Sequence, residues 1–368
     1  MWMSTWGNQV KISIFGESHG PAIGCVLEGL PAGETIDFEA VLQQMARRAP
    51  GQDRASTPRK ESDTPKVLSG LLNNVTTGAP LCAVIANTNQ HSADYRKLLS
   101  VPRPGHADYP AWVKYHGFND IRGGGHFSGR LTAPLVFAGA VCRQILSRRG
   151  IIIGAHAFSI GTIKDMPFAK VKITNEILSS LSREYFPVLD AEKKASMYHE
   201  IEQARNELNS IGGVVECACI GVPTGFGGEG MFGGVESIFS SILFGIPACK
   251  GVEFGAGFSA AKLHGSENND AYYYDETGHV KTRTNHAGGI LGGITTGMPI
   301  LFRCAFKPTP SIAQEQQSVD LTRHENTTLS VCGRHDPCIV PRAIPVVESA
   351  AALALMNLPG ILCCTAEV

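Results

Sequence analysis

Four stretches of this sequence gather side chains that could move protons or hold anions. The first is Phe15-Gly16-Glu17-Ser18-His19-Gly20, where two glycines bracket a carboxylate, a hydroxyl and an imidazole before Pro21 bars regular structure. Next come Arg103-Pro104-Gly105-His106-Ala107-Asp108 and Arg122-Gly123-Gly124-Gly125-His126-Phe127-Ser128-Gly129-Arg130. The last is Gly333-Arg334-His335-Asp336-Pro337. Histidines titrating near neutrality suit acid–base catalysis. Arginine forks match phosphate and carboxylate, and Arg48 and Arg54 in the basic run Arg47 to Asp63 could grip a doubly charged ligand. Glycine-rich backbone ahead of a helix leaves free N–H groups and the positive end of a dipole facing an anion. Each stretch also has a plainer reading. His19 could cap a tight turn, Ser128 could cap the helix that follows it, and the basic run could be a solvated loop.

The whole-chain properties narrow the chemistry. A chain of 368 residues supports a large core, in two lobes or one. A net charge of −1 gives no bulk attraction to nucleic acid or to an anionic membrane. Charged residues make up 18%, below the roughly 25% usual in soluble domains, so much of the surface should be buried, as in an oligomer. Eleven cysteines, an odd number without a Cys-x-x-Cys pair, point to a reducing cytoplasm with cysteine as a small buried hydrophobe. No secretory signal opens the chain and no apolar window is long enough to span a bilayer. Zinc is a further use for three histidines, but neither His-x-x-x-His nor His-Glu-x-x-His occurs. The glycine spacing near residue 123 also lacks the acidic residue of a dinucleotide-binding unit.

Those four stretches need elements to position them. Val10 to Phe15 alternates as a half-buried strand leading into the first. Ala22 to Leu30 reads as a second strand, and Asp37 opens a helix that stops before Pro50-Gly51. Strands resume at Lys66 to Leu72 and Pro80 to Ala86, and a short helix covers Tyr109 to Tyr115. The third stretch runs directly into an apolar helix, about Leu131 to Ser147, with Pro134 in its first turn. Its apolar residues cover more than one face, which predicts a central position. Ile151 to Ile160 is a strand, and a charged amphipathic helix opens at Asp190 with Met197, Ile201, Ala204 and Leu208 on one face, ended by Gly212-Gly213.

The second half echoes the first. Gly221-Val222-Pro223-Thr224-Gly225 repeats Gly29-Leu30-Pro31-Ala32-Gly33, each after an apolar strand and ahead of a helix, here Val235 to Phe244. Ile294-Thr295-Thr296-Gly297-Met298-Pro299 repeats Val75-Thr76-Thr77-Gly78-Ala79-Pro80. Lys307-Pro308 stands where Arg103-Pro104 stood, and a second apolar helix, about Ala343 to Asn357, follows the fourth stretch. These echoes predict an α+β fold: a β-α-β sandwich of two pseudo-repeated halves, with central apolar helices between outer antiparallel sheets. The halves span about 1–150 and 210–360 of a single domain covering 1–368, with a helical insertion at about 160–210.

Gly16-Glu17-Ser18-His19-Gly20, Arg103 to Asp108 and Gly333 to Pro337, together with Asn285-His286-Ala287-Gly288-Gly289-Ile290 and Lys307-Pro308-Thr309, resemble the chorismate synthase family along nearly the whole chain, in the family's order. The resemblance implies an anti-1,4-elimination of phosphate from 5-enolpyruvylshikimate 3-phosphate, giving chorismate for aromatic amino acid biosynthesis. It implies reduced FMN as cofactor with no net redox change, a homotetramer, and an external, NADP-linked flavin reductant in a monofunctional enzyme. Carried onto this chain, His19 looks like the acid that meets the departing phosphate, supported by Ser18. His106 is similar to the histidine that protonates reduced flavin near N1. Asp336 with Ser128 looks like the proton relay at flavin N5. Arg48, Arg54, Arg130 and Arg334 resemble the guanidinium set around substrate and flavin phosphate. Flavin contacts map onto His126, Phe127, Ser128, Pro247, Ala248, Gly292, Lys307, Pro308, Thr309, Pro310, Ser311 and Arg334.

One departure stands out. Many family members carry Arg-Ser-Ser-Ala-Arg after the triple glycine, whereas this chain has His126-Phe127-Ser128-Gly129-Arg130. Three readings compete with the resemblance. A flavin redox enzyme would oxidise flavin at each turnover, a binding protein would release no phosphate, and a zinc lyase would fail with chelators.

Overall fold

Two helices with almost no polar surface have to be buried, and the rest of the chain is layered around them. The structure is a computed structural model and describes residues 4–53, 63–88, 100–228, 231–331 and 335–363. The first half opens with strands β1 (Thr5–Trp6), β2 (Lys11–Gly16) and β3 (Ala22–Glu28), then helix α1 (Phe38–Arg48), whose N-cap Asp37 accepts from Glu39 and Ala40. Strand β4 (Pro65–Ser69), the small hairpin β5 (Leu71–Leu72) and β6 (Val75–Thr76), and β7 (Leu81–Ala86) follow. They form an antiparallel sheet in the order β1-β2-β3-β7-β4. Helix α2 (Asp108–Lys114) then precedes the first apolar helix, α3 (Thr132–Ser147), buried on every side for its first eleven residues, Thr132 to Cys142.

The second half repeats this plan. Strand β8 (Ile152–Ile160) is followed by β9 (Ile163–Lys164), helices α4 (Asn175–Leu181) and α5 (Ala191–Asn206), and β10 (Gly213–Ile220). Helix α6 (Val235–Leu243), β11 (Cys249–Phe254) and the short α7 (Gly265–Asn268) come next. Hairpins β12 (Tyr272–Tyr274) with β13 (Val280–Thr282) and β14 (Ile290–Leu291) with β15 (Ile294–Thr295) lead to β16 (Ile300–Phe306). Hairpin β17 (Gln316–Asp320) and β18 (Glu325–Leu329) precedes the second apolar helix, α8 (Val340–Met356). The second sheet runs β11-β16-β10-β8-β9, also antiparallel.

Strands β2, β3, β7 and β4 thus correspond to β8, β10, β16 and β11, with α3 matching α8. The echo reaches single hydrogen bonds. Thr76 Oγ1 donates to Pro31 O at 2.6 Å and accepts from Glu34 N, while Gly33 N donates to Thr76 O. Thr295 Oγ1 donates to Pro223 O at 2.6 Å and accepts from Phe226 N, while Gly225 N donates to Thr295 O. The α+β sandwich of two repeated halves expected from the sequence is the architecture observed.

Helices α3 and α8 pack extensively face to face between the sheets and come very close at Gly139 and Ser349. A Cβ placed on Gly139 would stand 2.1 Å from Ser349 Cβ and 2.3 Å from its Cα. Only a glycine lets the two backbones come so near.

Two helix boundaries differ from the sequence reading, and some elements were not foreseen. Helix α8 begins at Val340 rather than Ala343, because Pro341 sits in its first turn, where a missing N–H costs nothing. Helix α5 stops at Asn206, so Leu208 does not join its buried face; that residue is exposed with φ 57°. Helix α4 and hairpin β17–β18, short and polar on one side, had no clear periodic signal.

Helix α4 packs on β8 through Leu178, which meets Gly154, while the start of α5 is tied to β8 through a buried charged cluster. His156, fully buried, contacts Asp165 through Nδ1 at 2.8 Å and Glu216 through Nε2 at 3.0 Å. Asp165 also accepts from Leu189 and Asp190 N–H, and Glu216 from Phe168 N–H and Arg303. Burial alone would push the imidazole pKa down, but the bonds to Asp165 and Glu216 outweigh it and hold it above its ordinary value.

Two predictions follow from this packing. Replacing Gly139 by Ala should destabilise the protein by about 1–3 kcal/mol, read as a lower urea midpoint. His156, raised on folding, contributes stability that is complete below its unfolded pKa, roughly 6.5, and is lost as pH rises through the folded value. His156→Gln should therefore flatten the alkaline decline of the melting temperature, and an unchanged pH profile would count against the cluster as its source.

Candidate active site

The N-terminal turns of α3 and α8 open together onto one cavity of about 590 Å³. Thr132 from α3 and Arg342, Ala343 and Val346 from α8 line it, so the positive ends of two long helices face the same space. Six cationic side chains line it: Arg48, Arg103, Arg130, Lys250, Lys307 and Arg342, against Asp336 as the lining carboxylate among the described residues. Phe244, Ile246, Phe306 and Ile339 give it an apolar wall. A nearly neutral protein has concentrated positive charge where an anion would need it.

The triple glycine brings the two histidines to this place. Gly123 has φ 60°, and a Cβ there would stand 2.5 Å from His19 Cδ2 and 2.7 Å from Ser18 Oγ. Gly124 has φ 87°, and its Cβ would lie 3.1 Å from His106 Nε2. Consecutive residues with no side chain thus let both imidazoles close in from different chain segments. Ser18 N donates to Gly125 O at 3.1 Å, and Asn87 Nδ2 donates to Glu17 O at 3.0 Å and Gly20 O at 2.8 Å, fixing the turn that carries His19.

His106 is oriented by charge. Its Nδ1 lies 2.5 Å from Asp108 Oδ1, and Arg103 braces the same carboxylate through Nε at 2.7 Å and NH2 at 2.8 Å. A carboxylate can only accept, so Nδ1 carries the hydrogen and Nε2 is left as the working nitrogen. Asp108 is held well below the ordinary carboxyl range by its bonds to Arg103 and His106, against burial that pushes the other way. Arg103 NH1 also reaches Ser311 Oγ at 3.1 Å.

The arginines are held from behind. Arg48 donates to Asp63 Oδ2 at 2.6 Å, to Thr132 Oγ1 at 3.1 Å and to Gly129 O at 3.0 Å. Arg130 pairs with Asp63 Oδ1 and donates to Asn87 Oδ1 at 3.0 Å. Asp63 is buried between the two, with φ 46°. Burial, with the neighbouring guanidinia of Arg342 and Arg130, takes Arg48 down to about 10 despite the opposing pull of Asp63, which still leaves it charged at neutral pH. Arg342 pairs with Asp336 and donates to Arg48 O at 2.9 Å.

Among the residues singled out from sequence, Ser18, Arg48, His106, His126, Phe127, Ser128, Arg130, Pro247, Ala248, Lys307, Thr309, Pro310, Ser311 and Asp336 line the cavity. His19 is not on the cavity wall itself; it packs just behind Gly123, beside Ser18, which is. Ser128 combines its two readings: it lines the cavity, and its hydroxyl accepts Arg130 N–H at 3.3 Å. Gly292 and Pro308 are not brought to the cavity wall; Gly292 turns the β14–β15 hairpin. Arg54 and Arg334 lie outside the described residues. Asp63, Asn87, Lys250 and Arg342 were missed. Asn87 and Lys250 sit in segments without a motif, and Arg342 is one polar residue within an apolar helix.

Comparison with known proteins places the chain among characterised relatives. A family model described as chorismate synthase matches residues 10–359. A curated protein named chorismate synthase from Lancefieldella parvula is 47% identical over 369 residues, covering 97% of this chain and 96% of the relative. One of the same name from Thermococcus kodakarensis is 46% identical over 351 residues, covering 95% and 96%. A solved structure titled "Crystal Structure of Chorismate Synthase" superposes with a TM-score of 0.75 at 28% identity, covering 96% of this chain and 92% of that one.

The clamp around Asp63 yields a prediction. Asp63→Asn keeps the shape but leaves two buried guanidinia without a counter-charge, a loss on the order of 3 kcal/mol in urea unfolding. Added orthophosphate should then raise the variant's midpoint more than the wild type's, because an anion can take the carboxylate's place. Equal shifts would place Asp63 outside the anion site.

Proposed function

The chain belongs to the chorismate synthase family, and on that premise we propose that it eliminates phosphate and a ring proton from 5-enolpyruvylshikimate 3-phosphate to form chorismate, with reduced FMN held in the same cavity. One observation carries the reading: His106, Asp336 and the cationic cluster line a single space, with His19 packed against Gly123 of its wall. Its volume lies within the roughly 300–1,000 Å³ usual for small-molecule sites.

The residues present fit both anions. Lys250, Lys307 and Arg103 on one side and Arg48, Arg130 and Arg342 on the other offer separate partners for two phosphorylated molecules, and the apolar wall suits a flat ring. The His126-Phe127 departure keeps an aromatic surface there, the two rings lying 4.1 Å apart. Reduced FMN, when bound, supplies an electron-rich ring beside the substrate. His19, steadied by the turn that Asn87 fixes, gives a proton to the departing phosphate so that no bare trianion is released. The C–O electron pair leaves with phosphate, the C–H pair enters the new diene, and no electrons are gained or lost overall. His106 holds or returns a proton at Nε2 while Asp108 compensates the imidazolium. Asp336 and Ser128 hold proton-bearing oxygens at the cavity wall. The guanidinia bind the substrate carboxylates and phosphate.

Exposed Phe118, Met231, Phe232 and Phe258 are apolar side chains that subunit contacts in the proposed homotetramer would cover. Free buried cysteines support a reducing, cytoplasmic setting, and the proposed enzyme takes its reducing equivalents from an external, NADP-linked system. Among the described residues, no helix is long and apolar enough to cross a membrane.

The reading is tested anaerobically with dithionite-reduced FMN and 5-enolpyruvylshikimate 3-phosphate, following chorismate absorbance and phosphate together. Equimolar release without flavin oxidation is expected, and phosphate without chorismate would refute the reading. Ser128→Ala should slow single-turnover chemistry by about 10²-fold, the lower end for a lost proton-transfer group, while substrate affinity barely changes. Wild-type single-turnover rates would remove Ser128 from the chemistry.

A further inference from the structure

Strand β11 begins inside the cavity wall. Ala248 adopts φ 70°, unusual for a side-chain-bearing residue, and accepts Lys307 N–H at 3.1 Å. Cys249 follows it, lining the cavity beside Lys250. In the β11–β16 ladder Cys249 faces Phe306, and the register then shifts before Gly251 faces Ala305 and Val252 faces Cys304. Cys304 is two residues from Phe306, so the two cysteines share one sheet face as diagonal neighbours, within reach of each other. Both are free thiols; Cys249 Sγ donates to Gly251 O at 3.7 Å, and the two sulfurs lie near enough to shift each other's acidity. The shifted register after Cys249 leaves the start of β11 less tightly held than its remainder.

The two thiols are unequal. Cys249 is reachable from the cavity, while Cys304 is fully buried behind it. The hydrogen bond from Cys304 lowers the Cys249 pKa despite burial, and the same bond, with burial, raises Cys304. A more acidic thiol at the cavity wall backed by a fully buried one is the arrangement of an attacking and a resolving cysteine.

We propose that Cys249 and Cys304 are a peroxide-oxidisable dithiol that switches the cavity wall. The Cys249 thiolate attacks hydrogen peroxide: an S–O bond forms, the O–O bond breaks, and hydroxide leaves to be protonated as water. The Cys304 thiol then attacks the sulfenic sulfur: the S–S bond forms, the S–O bond breaks, and a second water leaves. Two thiols are oxidised and one peroxide is reduced to two waters. The disulfide draws Cys249, and with it Ala248 and its bond to Lys307, toward β16. On the reading proposed above, peroxide has a local source, since reduced flavin exposed to oxygen generates it.

The test is to expose the reduced, full-length protein to one to two equivalents of hydrogen peroxide, alkylate remaining thiols and map peptides. A peptide linked through Cys249 and Cys304 is expected, released by dithiothreitol. In Cys304→Ala the linked peptide disappears and dimedone labels Cys249 instead. Recovery of both residues as alkylated thiols while exposed Cys363 is oxidised would overturn the proposal. Flavin-dependent turnover of the treated wild type should fall at least fivefold and return with dithiothreitol; unchanged turnover in a linked sample would overturn the switch. The mapping needs no turnover, so an untreated enzyme that makes no chorismate would sink the functional reading and leave the dithiol result standing on its own.

Discussion

One fully buried carboxylate ties the layers of this protein together. Glu348, in the middle of α8, receives Arg47 from α1 at 2.5 Å, Arg143 from α3 at 2.8 Å and the Ala155 N–H of β8 at 3.0 Å. A charge so far from water survives only with its partners present, so four elements are committed to a single mutual arrangement. The two guanidinia hold Glu348 below the ordinary carboxyl range against the burial that would raise it. The arrangement does more than hold a core. Arg47 is the neighbour of Arg48, and the same end of α1 is held a second time by Arg342 through Arg48 O. Arg48 and Arg342 are therefore positioned from the interior.

Within the cavity, charge is managed in pairs. Asp63 sits behind Arg48 and Arg130, Asp108 behind Arg103 and His106, and Asp336 beside Arg342. Each carboxylate spends part of a neighbour's charge and fixes its direction in return. The balance stays positive, which suits dianionic ligands, and the remaining N–H groups are aimed before a ligand arrives. Pre-aimed donors need no reorganisation as charge moves during reaction, which is how a modest set of side chains can matter to rate.

Much of this could be read from the chain because the fold writes the same pattern twice. Strand, Pro-containing turn, helix, Thr-Thr-Gly-x-Pro turn, strand and apolar helix recur, and Thr76 and Thr295 make corresponding bonds to Pro31 and Pro223. The glycine-rich stretches pointed to His19 and His106 because their close approach to the backbone needs glycine at 123 and 124. What could not be read were residues whose importance lies in distance along the chain. Asp63 meets Arg130 across 67 positions and Asn87 reaches Glu17 across 70, with no local pattern to reveal either. Leu208 misled for the opposite reason: its spacing fitted the face of α5, but the backbone leaves the helix before reaching it.

The contact between Gly139 and Ser349 sets how the catalytic space can change width. Thr132 and Arg342 each stand seven residues toward the cavity from that contact, about 10 Å along their helices at the usual helical rise. The width of the space between those two helix ends is therefore set by how closely the backbones approach at Gly139. A side chain added there would push the helices apart and widen the cavity mouth between Thr132 and Arg342.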